Sequence, residues 1–377
     1  VQGAEQLVAT CRHNLEVITS KNLEEGLFTQ ANFWTGFLDG EDFDVYGQGS
    51  LEPKHSLERV YDLSSLTKAL VTTPLILDKA WSLGLDESAT LGQIFTGEAT
   101  WRGLEPAKGY KLKDVLRHES GLPAWRNFYT ECLADPRAKN HYERLNPVLT
   151  AAAQSKAYTG TAGNVYSDVG MILLGILLER EANRSLDVLF DIFLVCSVDK
   201  NLKGLLGPAK IFDKKTSVST GFCAVRQKEI QGEVHDENAW ALGGFCGHAG
   251  LFGSCTSVVK YLKALSRSAI GSRVIAANAD YANKFQSSDS ALGWRTGRDE
   301  VAKNFGGGHA IGHYGFTGAS FWLVPSTKAC SVVLTNRVAL SRTGTLPAMK
   351  TFRAAMFSEM QRHVSASIQS QATKDAN

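Results

Sequence analysis

The chain has 377 residues, 44% of them hydrophobic, which is enough to bury a large core and long for a single domain. Its 40 Lys and Arg against 38 Asp and Glu leave a formal charge of +2, and without a long basic run there is no electrostatic footprint of a nucleic-acid binder. No apolar stretch reaches the roughly 20 residues of a membrane-spanning helix, and the longest, Val169 to Leu178, is about half that.

The seven cysteines are an odd number, scattered and without Cys-x-x-Cys spacing, so buried thiols with at most partial pairing are expected. The opening Val1-Gln2-Gly3-Ala4 lacks the charged and apolar regions of a secretory signal, which is therefore either absent or already removed. That leaves the periplasm or cell envelope as the expected compartment, with the cytoplasm as the alternative. The oligomeric state is open.

In chain order, Leu7, Val8, Cys11, Leu15 and Ile18 have helical spacing, and Phe33–Leu38 and Phe43–Tyr46 read as two strands around a turn at Asp39-Gly40. Ser65–Leu83 reads as an apolar, buried helix, with Pro74 expected to kink it or mark an irregular turn. Helical patterns predominate from Tyr110 to about Ser219, including Asp168–Glu181 and Leu186–Cys196. The glycine-rich stretch from Gly221 to Gly253 reads as long loops, followed by a helix over Thr256–Ser266. Ala310–Tyr314, Ala319–Val324 and Cys330–Thr335 then read as an antiparallel meander, covered by a helix from about Leu346 to His363. The Ser- and Gln-rich tail is expected to be disordered.

Chemistry concentrates in three places. Ser65-Leu66-Thr67-Lys68 puts a hydroxyl and an ammonium on one helix face, where the lysine can ease formation of an alkoxide. Ser197-Val198-Asp199-Lys200 and Ser257-Val258-Val259-Lys260 share that pattern, but Lys263 and Ser266 mark a solvated face for the latter and a polar run follows the former. Tyr166-Ser167-Asp168 opens an apolar helix and can present a phenol hydroxyl as a general base, with Asp168 as an alternative helix cap. Tyr281-Ala282-Asn283 is a weaker version of the same pattern.

His313-Tyr314-Gly315-Phe316 puts a side chain able to carry charge on a strand that runs into glycines, where substrate can lie against the backbone. The amides of Ser65 and Phe316 could then form an oxyanion hole. An ordinary histidine titrates near 6.5, so any charge that His313 lends to an anionic substrate would depend on pH. His309 and His313 could suit a metal only on a helix, which the surrounding glycines oppose. His235, Asp236 and Asn238 read as residues tying down a glycine-rich loop, His118 and Ser120 as loop and cap residues, and the tryptophans at 125, 240, 294 and 322 as core or cleft wall.

Ser65-x-x-Lys68, Tyr166-x-Asp168 and His313-x-Gly315 stand in the order of the three active-site motifs of the serine β-lactamase and penicillin-binding protein superfamily. The chain resembles its class C β-lactamases, related esterases and low-molecular-mass D,D-carboxypeptidases. Arg117-His118-Glu119-Ser120-Gly121-Leu122-Pro123 is similar to another family segment, and Val234–Ala239 with Gly247–Phe252 resembles a carboxypeptidase-like subgroup. The resemblance covers roughly residues 25 to 360. It departs from the family at Asp168, where Asn is usual, and at Tyr314, which replaces a small hydroxyl that helps to hold a substrate carboxylate.

The resemblance implies an α/β (α+β) fold, an antiparallel sheet flanked by helices from both chain ends with an inserted helical domain. The expected division is 1–95 and 230–365 for the discontinuous α/β domain, 96–229 for the helical domain and 366–377 for the tail. It implies a serine hydrolase with an acyl-enzyme on Ser65, without cofactor or metal, acting on a small-molecule or peptide substrate. Lys68, Tyr166 and His313 would complete the catalytic set, with Phe316, Asp168, Tyr314 and Gly315 binding the oxyanion or substrate. A D-Ala-D-Ala-type peptidase or a carboxylesterase is the first reading. A β-lactamase and a non-catalytic penicillin-binding or sensor protein are the alternatives.

Overall fold

The structure, a computed structural model, describes residues 2–52, 56–130 and 165–375. The middle of the expected helical block, 131–164, and with it Cys132, lies outside the described residues. The strands are β1 Gln30–Phe37, β2 Val45–Ser50, β3 Tyr61–Asp62, β4 Leu206–Pro208, β5 Phe222–Cys223, β6 Lys228–Glu229, β7 Leu251–Gly253, β8 Arg295–Thr296, β9 Ile311–Tyr314, β10 Ser320–Val324 and β11 Ala329–Thr335. Six of them form an antiparallel sheet in the order β2-β1-β11-β10-β9-β8. The meander read from the sequence is β9, β10 and β11. The short edge strand β8 was missed, and the first hairpin turns over a longer loop than Asp39-Gly40.

β1 and β11 are buried along their whole length because both faces of the sheet are covered. Phe33, Phe37, Ala329 and Val333 face the terminal helices, while Trp34, Cys330, Val332 and Leu334 join the main core on the other side. The terminal helices are Gln2–Glu24 and Leu346–Asp375, with Phe352 edge-on to Phe28 at 4.9 Å. The second helix overturns the expected tail disorder. Val364 and Ser367 are buried, and the Ser367 hydroxyl donates to the His363 carbonyl at 2.8 Å, so a polar composition is accommodated within a docked helix. The main core runs without interruption from the sheet through Thr73–Ser82 and Asp168–Ala182 to Cys255–Arg267. Within the stretch expected to be long loops, Glu237–Ala241 is helical and β7 pairs with β3 and β4.

The expected kink at Pro74 is a π turn over Lys68–Thr72, directly behind Ser65. The Thr73 amide reaches back five residues to the Lys68 carbonyl. Proline has no N–H, so it cannot supply the next bonds to Ala69 or Leu70. Two buried side chains do so instead: Trp294 Nε1 donates to the Ala69 carbonyl at 3.0 Å, and the Tyr261 hydroxyl to the Leu70 carbonyl at 2.7 Å. The turn that carries Lys68 is thus held from β8's approach and from the helix Cys255–Arg267. Replacing Tyr261 with Phe strands a buried carbonyl, and we expect a loss of about 1–3 kcal/mol in chemical denaturation. An unchanged midpoint would show that water or a shifted backbone takes over the bond.

Candidate active site

Ser65 sits half-buried at the wall of a cavity of about 640 Å³. Lys68, fully buried one turn on, uses its three N–H groups on three acceptors: Ser65 Oγ at 2.7 Å, the His248 carbonyl at 3.0 Å and Asp168 Oδ1 at 2.8 Å. Burial works against the charge on Lys68, but the Asp168 carboxylate and, after it, Tyr166 outweigh it and hold the pKa above the ordinary lysine value. The ammonium also stands 5.0 Å from the centre of the Tyr166 ring. The structure therefore brings Ser65, Lys68, Tyr166 and Asp168 together.

Asp168 is free for this pairing because Ser167 caps the helix. The Ser167 hydroxyl accepts from the Gly170 amide at 3.0 Å and donates to the Pro123 carbonyl at 2.7 Å. The alternative reading of Asp168 as the cap is thereby corrected. His118, expected to be only a loop residue, accepts from the Ser167 amide at 3.1 Å and packs against the Tyr166 ring at 4.6 Å. It fixes both the start of the helix and the plane of the tyrosine.

The segment 235–250 supplies a wall that sequence reasoning left without a site role. Asp236 caps Glu237–Ala241 through the Ala239 amide and pairs with His248 Nε2 at 2.9 Å. Asn238 accepts from the amides of Phe128 and Tyr129 and donates to the Arg126 carbonyl, so the loop-tying role read for it holds. Gly247 lies so close to the helix Asp168–Ala182 that a Cβ would stand 2.0 Å from the Met171 carbonyl oxygen. Only glycine lets this loop present its carbonyls to Thr72 and Lys68.

Asp62 is a second positioning residue that was missed. Its carboxylate accepts from the amides of Ser64, at 2.8 Å, and His235, at 2.6 Å. It thereby holds the turn in which Ser64 takes φ +50°, an uncommon value for a residue with a side chain. The acidic residue three positions before Ser65 was the available signal.

On β9, His313 and Tyr314 point to opposite faces. His313 is buried beside Tyr166, with ring centres 6.1 Å apart, and its Nδ1 is 2.7 Å from the Tyr314 carbonyl, an acceptor, so Nδ1 carries the proton. Burial, then Lys68 and Arg295, drive its pKa well below 6.5, which favours a neutral ring over a pH-dependent cation. Tyr314 lines the cavity, but its hydroxyl donates to Asp299 at 3.1 Å and its ring lies between Trp322 and the Arg353 guanidinium. Gly315 allows the strand end to approach the Leu63 carbonyl, which a Cβ would meet at 2.8 Å. The Phe316 amide, expected in an oxyanion hole, donates to Ser64 Oγ at 3.2 Å in this state.

The competing motifs lie elsewhere. Ser257 is bonded to Ser254 at 2.9 Å with Lys260 exposed, and Tyr281 packs on Phe285; none of them lines the cavity, nor does Ser197. Lys263, read as solvated, is instead buried and paired with Asp44 at 2.6 Å. Of the described cysteines, Cys11, Cys223, Cys255 and Cys330 are buried free thiols, Cys246 is buried and Cys196 is exposed. Trp294 and Trp322 are core residues, whereas Trp125 lines the cavity.

No protein-family model matches the sequence. The chain is 28% identical over 310 residues to an N-acetylmuramyl-L-alanine amidase of Bacillus subtilis, covering 75% of this chain and 69% of that protein. It is 26% identical over 304 residues to a putative D-alanyl-D-alanine carboxypeptidase of Escherichia coli, covering 74% and 69%. Among solved structures it is similar to EstCE1, a hydrolase with promiscuous acyltransferase activity, with a TM-score of 0.65, 16% identity and coverage of 94% and 99%. The chain has the β-lactamase and penicillin-binding protein fold. It is a hydrolytic enzyme of that fold.

Three histidines around the cavity link the site to stability. Burial, with neighbouring cations, takes His118 from 6.5 down to about 3 and His235 to about 4, and lowers His313 as well. Below about 6.5 the unfolded chain therefore binds protons that the folded chain refuses, so this contribution is complete above that pH and is lost as the pH falls. Asp62, raised by burial from 3.8 to about 6, acts in the opposite sense and offsets part of the loss. We expect stability to fall between about pH 6.5 and pH 4.5 by about 1.4 kcal/mol per pH unit for each histidine left uncompensated. Urea midpoints that stay level over that range would contradict the neutral histidines.

Proposed function

We propose that the chain is a serine acyl hydrolase that forms a covalent ester on Ser65 and cleaves an amide or ester bond in a peptide substrate, of which a D-alanyl peptide is the first choice. The observation that carries the reading is the buried Lys68 ammonium, bonded at once to Ser65 Oγ and to Asp168. The names of the two sequence relatives, an amidase and a putative carboxypeptidase, support peptide bonds of this kind. Such a substrate would place the enzyme at the cell envelope.

Because Lys68 is already charged, it cannot take the serine proton, and its role is to stabilise negative charge on Oγ and on the phenolate of Tyr166. Tyr166 takes the proton as Oγ bonds to the acyl carbon, then returns it to the departing nitrogen or oxygen as the old bond breaks. Water repeats the sequence and releases the acyl group. The amides of Ser65 and Phe316 would hold the oxyanion once the Ser64 hydroxyl turns away from Phe316. His313, neutral with its Nε2 free of partners among the described residues, is an acceptor beside Tyr166 rather than a charge for the substrate.

A fluorophosphonate followed by intact mass should add one label to the wild type and none to Ser65→Ala, while Ser257→Ala labels normally. Tyr166→Phe, which removes only the hydroxyl, should slow acylation by roughly 10²- to 10⁴-fold. Labelling that survives in Ser65→Ala would assign the nucleophile elsewhere, and near-normal acylation in Tyr166→Phe would move the base to Lys68. Parallel incubation with a fluorescent penicillin reports whether β-lactams enter the same site.

A further inference from the structure

The two amides read as an oxyanion hole are in different states. The Ser65 amide has no partner among the described residues, whereas the Phe316 amide is spent on Ser64 Oγ at 3.2 Å. Ser64 stands directly before Ser65, lines the cavity and is 7% exposed. Both backbones around this bond are pinned. The Ser64 amide donates to Asp62 Oδ1 at 2.8 Å, and its carbonyl accepts from the Thr67 hydroxyl at 2.6 Å and the Thr67 amide at 3.0 Å. On the other side the Gly315 amide donates to the Ala319 carbonyl at 2.7 Å, the Thr317 hydroxyl to the Asp62 carbonyl at 2.7 Å, and Arg353 Nη2 to the Ala319 carbonyl at 2.9 Å. What stays free is rotation of the Ser64 side chain, which has other staggered positions and no second partner among the described residues.

We propose that Ser64 is a resident competitor for the oxyanion position: its hydroxyl oxygen occupies the Phe316 amide until negative charge on the reacting oxygen displaces it. This rests on the hydrolase reading above and adds to it a residue that sets the acylation rate. A serine hydroxyl and a substrate carbonyl are both neutral acceptors, so substrate binding alone leaves Ser64 in place. The oxyanion that forms as Ser65 Oγ bonds to the acyl carbon is a charged acceptor, and a hydrogen bond to it is roughly twice as strong as a neutral one. It therefore takes the amide, and the Ser64 hydroxyl turns into the cavity. The loss of one neutral hydrogen bond then falls on acylation and not on binding. The turn itself gives no reason for this hydroxyl, because at φ +50° glycine fits with less strain than serine.

The test is the affinity of phenylboronic acid for the full chain. Ser65 Oγ bonds to its boron as the serine proton passes to the Tyr166 phenolate, and one boron-bound oxygen of the anionic tetrahedral adduct takes the oxyanion position. Ser64→Gly and Ser64→Ala, which both remove the competitor, should tighten this inhibitor by about 2- to 10-fold, the worth of one neutral hydrogen bond. Acylation by p-nitrophenyl acetate, followed in single turnovers with enzyme in excess, should quicken by a similar factor. Binding of N-acetyl-D-alanyl-D-alanine to the Ser65→Ala protein should change by less than about twofold when Ser64→Gly is added, because no oxyanion forms there. A purely structural role would act in the opposite direction, since loosening the turn before Ser65 weakens the adduct and slows acylation. Phenylboronic acid binding that is unchanged or weaker in Ser64→Gly, or acylation no faster than in the wild type, would overturn the proposal. A gain that Ser64→Ala does not share would assign the effect to backbone freedom and overturn it as well. A wild type that neither binds phenylboronic acid nor takes up a fluorophosphonate would instead count against the hydrolase reading.

Discussion

The arrangement depends on one buried ammonium. Lys68 has three hydrogens and three acceptors, and each acceptor comes from a different part of the fold: its own turn through Ser65, the glycine-rich loop through the His248 carbonyl, and the start of the helix Asp168–Ala182 through its carboxylate. A charge placed without exposure to solvent is tolerated only when all its donors are used. The ion thus ties together three segments that are remote in sequence, and a shift in any of them leaves it undersatisfied.

Much of the remaining architecture can be understood as keeping those acceptors in place. The π turn sets Lys68 behind Ser65 and hands two orphaned carbonyls to Trp294 and Tyr261. Gly247 lets the loop backbone touch the helix that carries Asp168. Ser167, held by His118 and Pro123, caps that helix so that the aspartate need not. Asp62 fixes the turn before Ser65 and, through the His235 amide, joins it to the same loop.

The parts legible in the sequence were those with a local signature. Alternation and punctuating glycines and prolines marked β9, β10 and β11, and the three-residue spacing of Ser65 and Lys68 placed them on one face. Context also separated Ser65, which lines the cavity, from Ser257, which does not, because an all-apolar helix implied burial. What stayed hidden depends on contacts between remote residues. Lys263 has the pattern of a solvated face, yet Asp44 waits for it across the sheet. His313 carries the residue type of a physiological titrator, but burial beside Lys68 and Arg295 makes it neutral. The polar tail has the composition of disorder and docks through Val364 and Ser367.

The central claim is that Lys68 stays an ammonium through the working pH range, so that it polarises its neighbours and does not act as the base. Nitrogen-15 NMR of the lysine side chains, with Lys68 assigned by Lys68→Arg, measures this directly. The account predicts a Lys68 resonance that keeps its ammonium shift up to at least about pH 10, the ordinary lysine value, and that begins to titrate lower once Asp168 is replaced by Asn. A Lys68 that loses its proton near about pH 7 in the unmodified enzyme would make it a competent base and contradict the account.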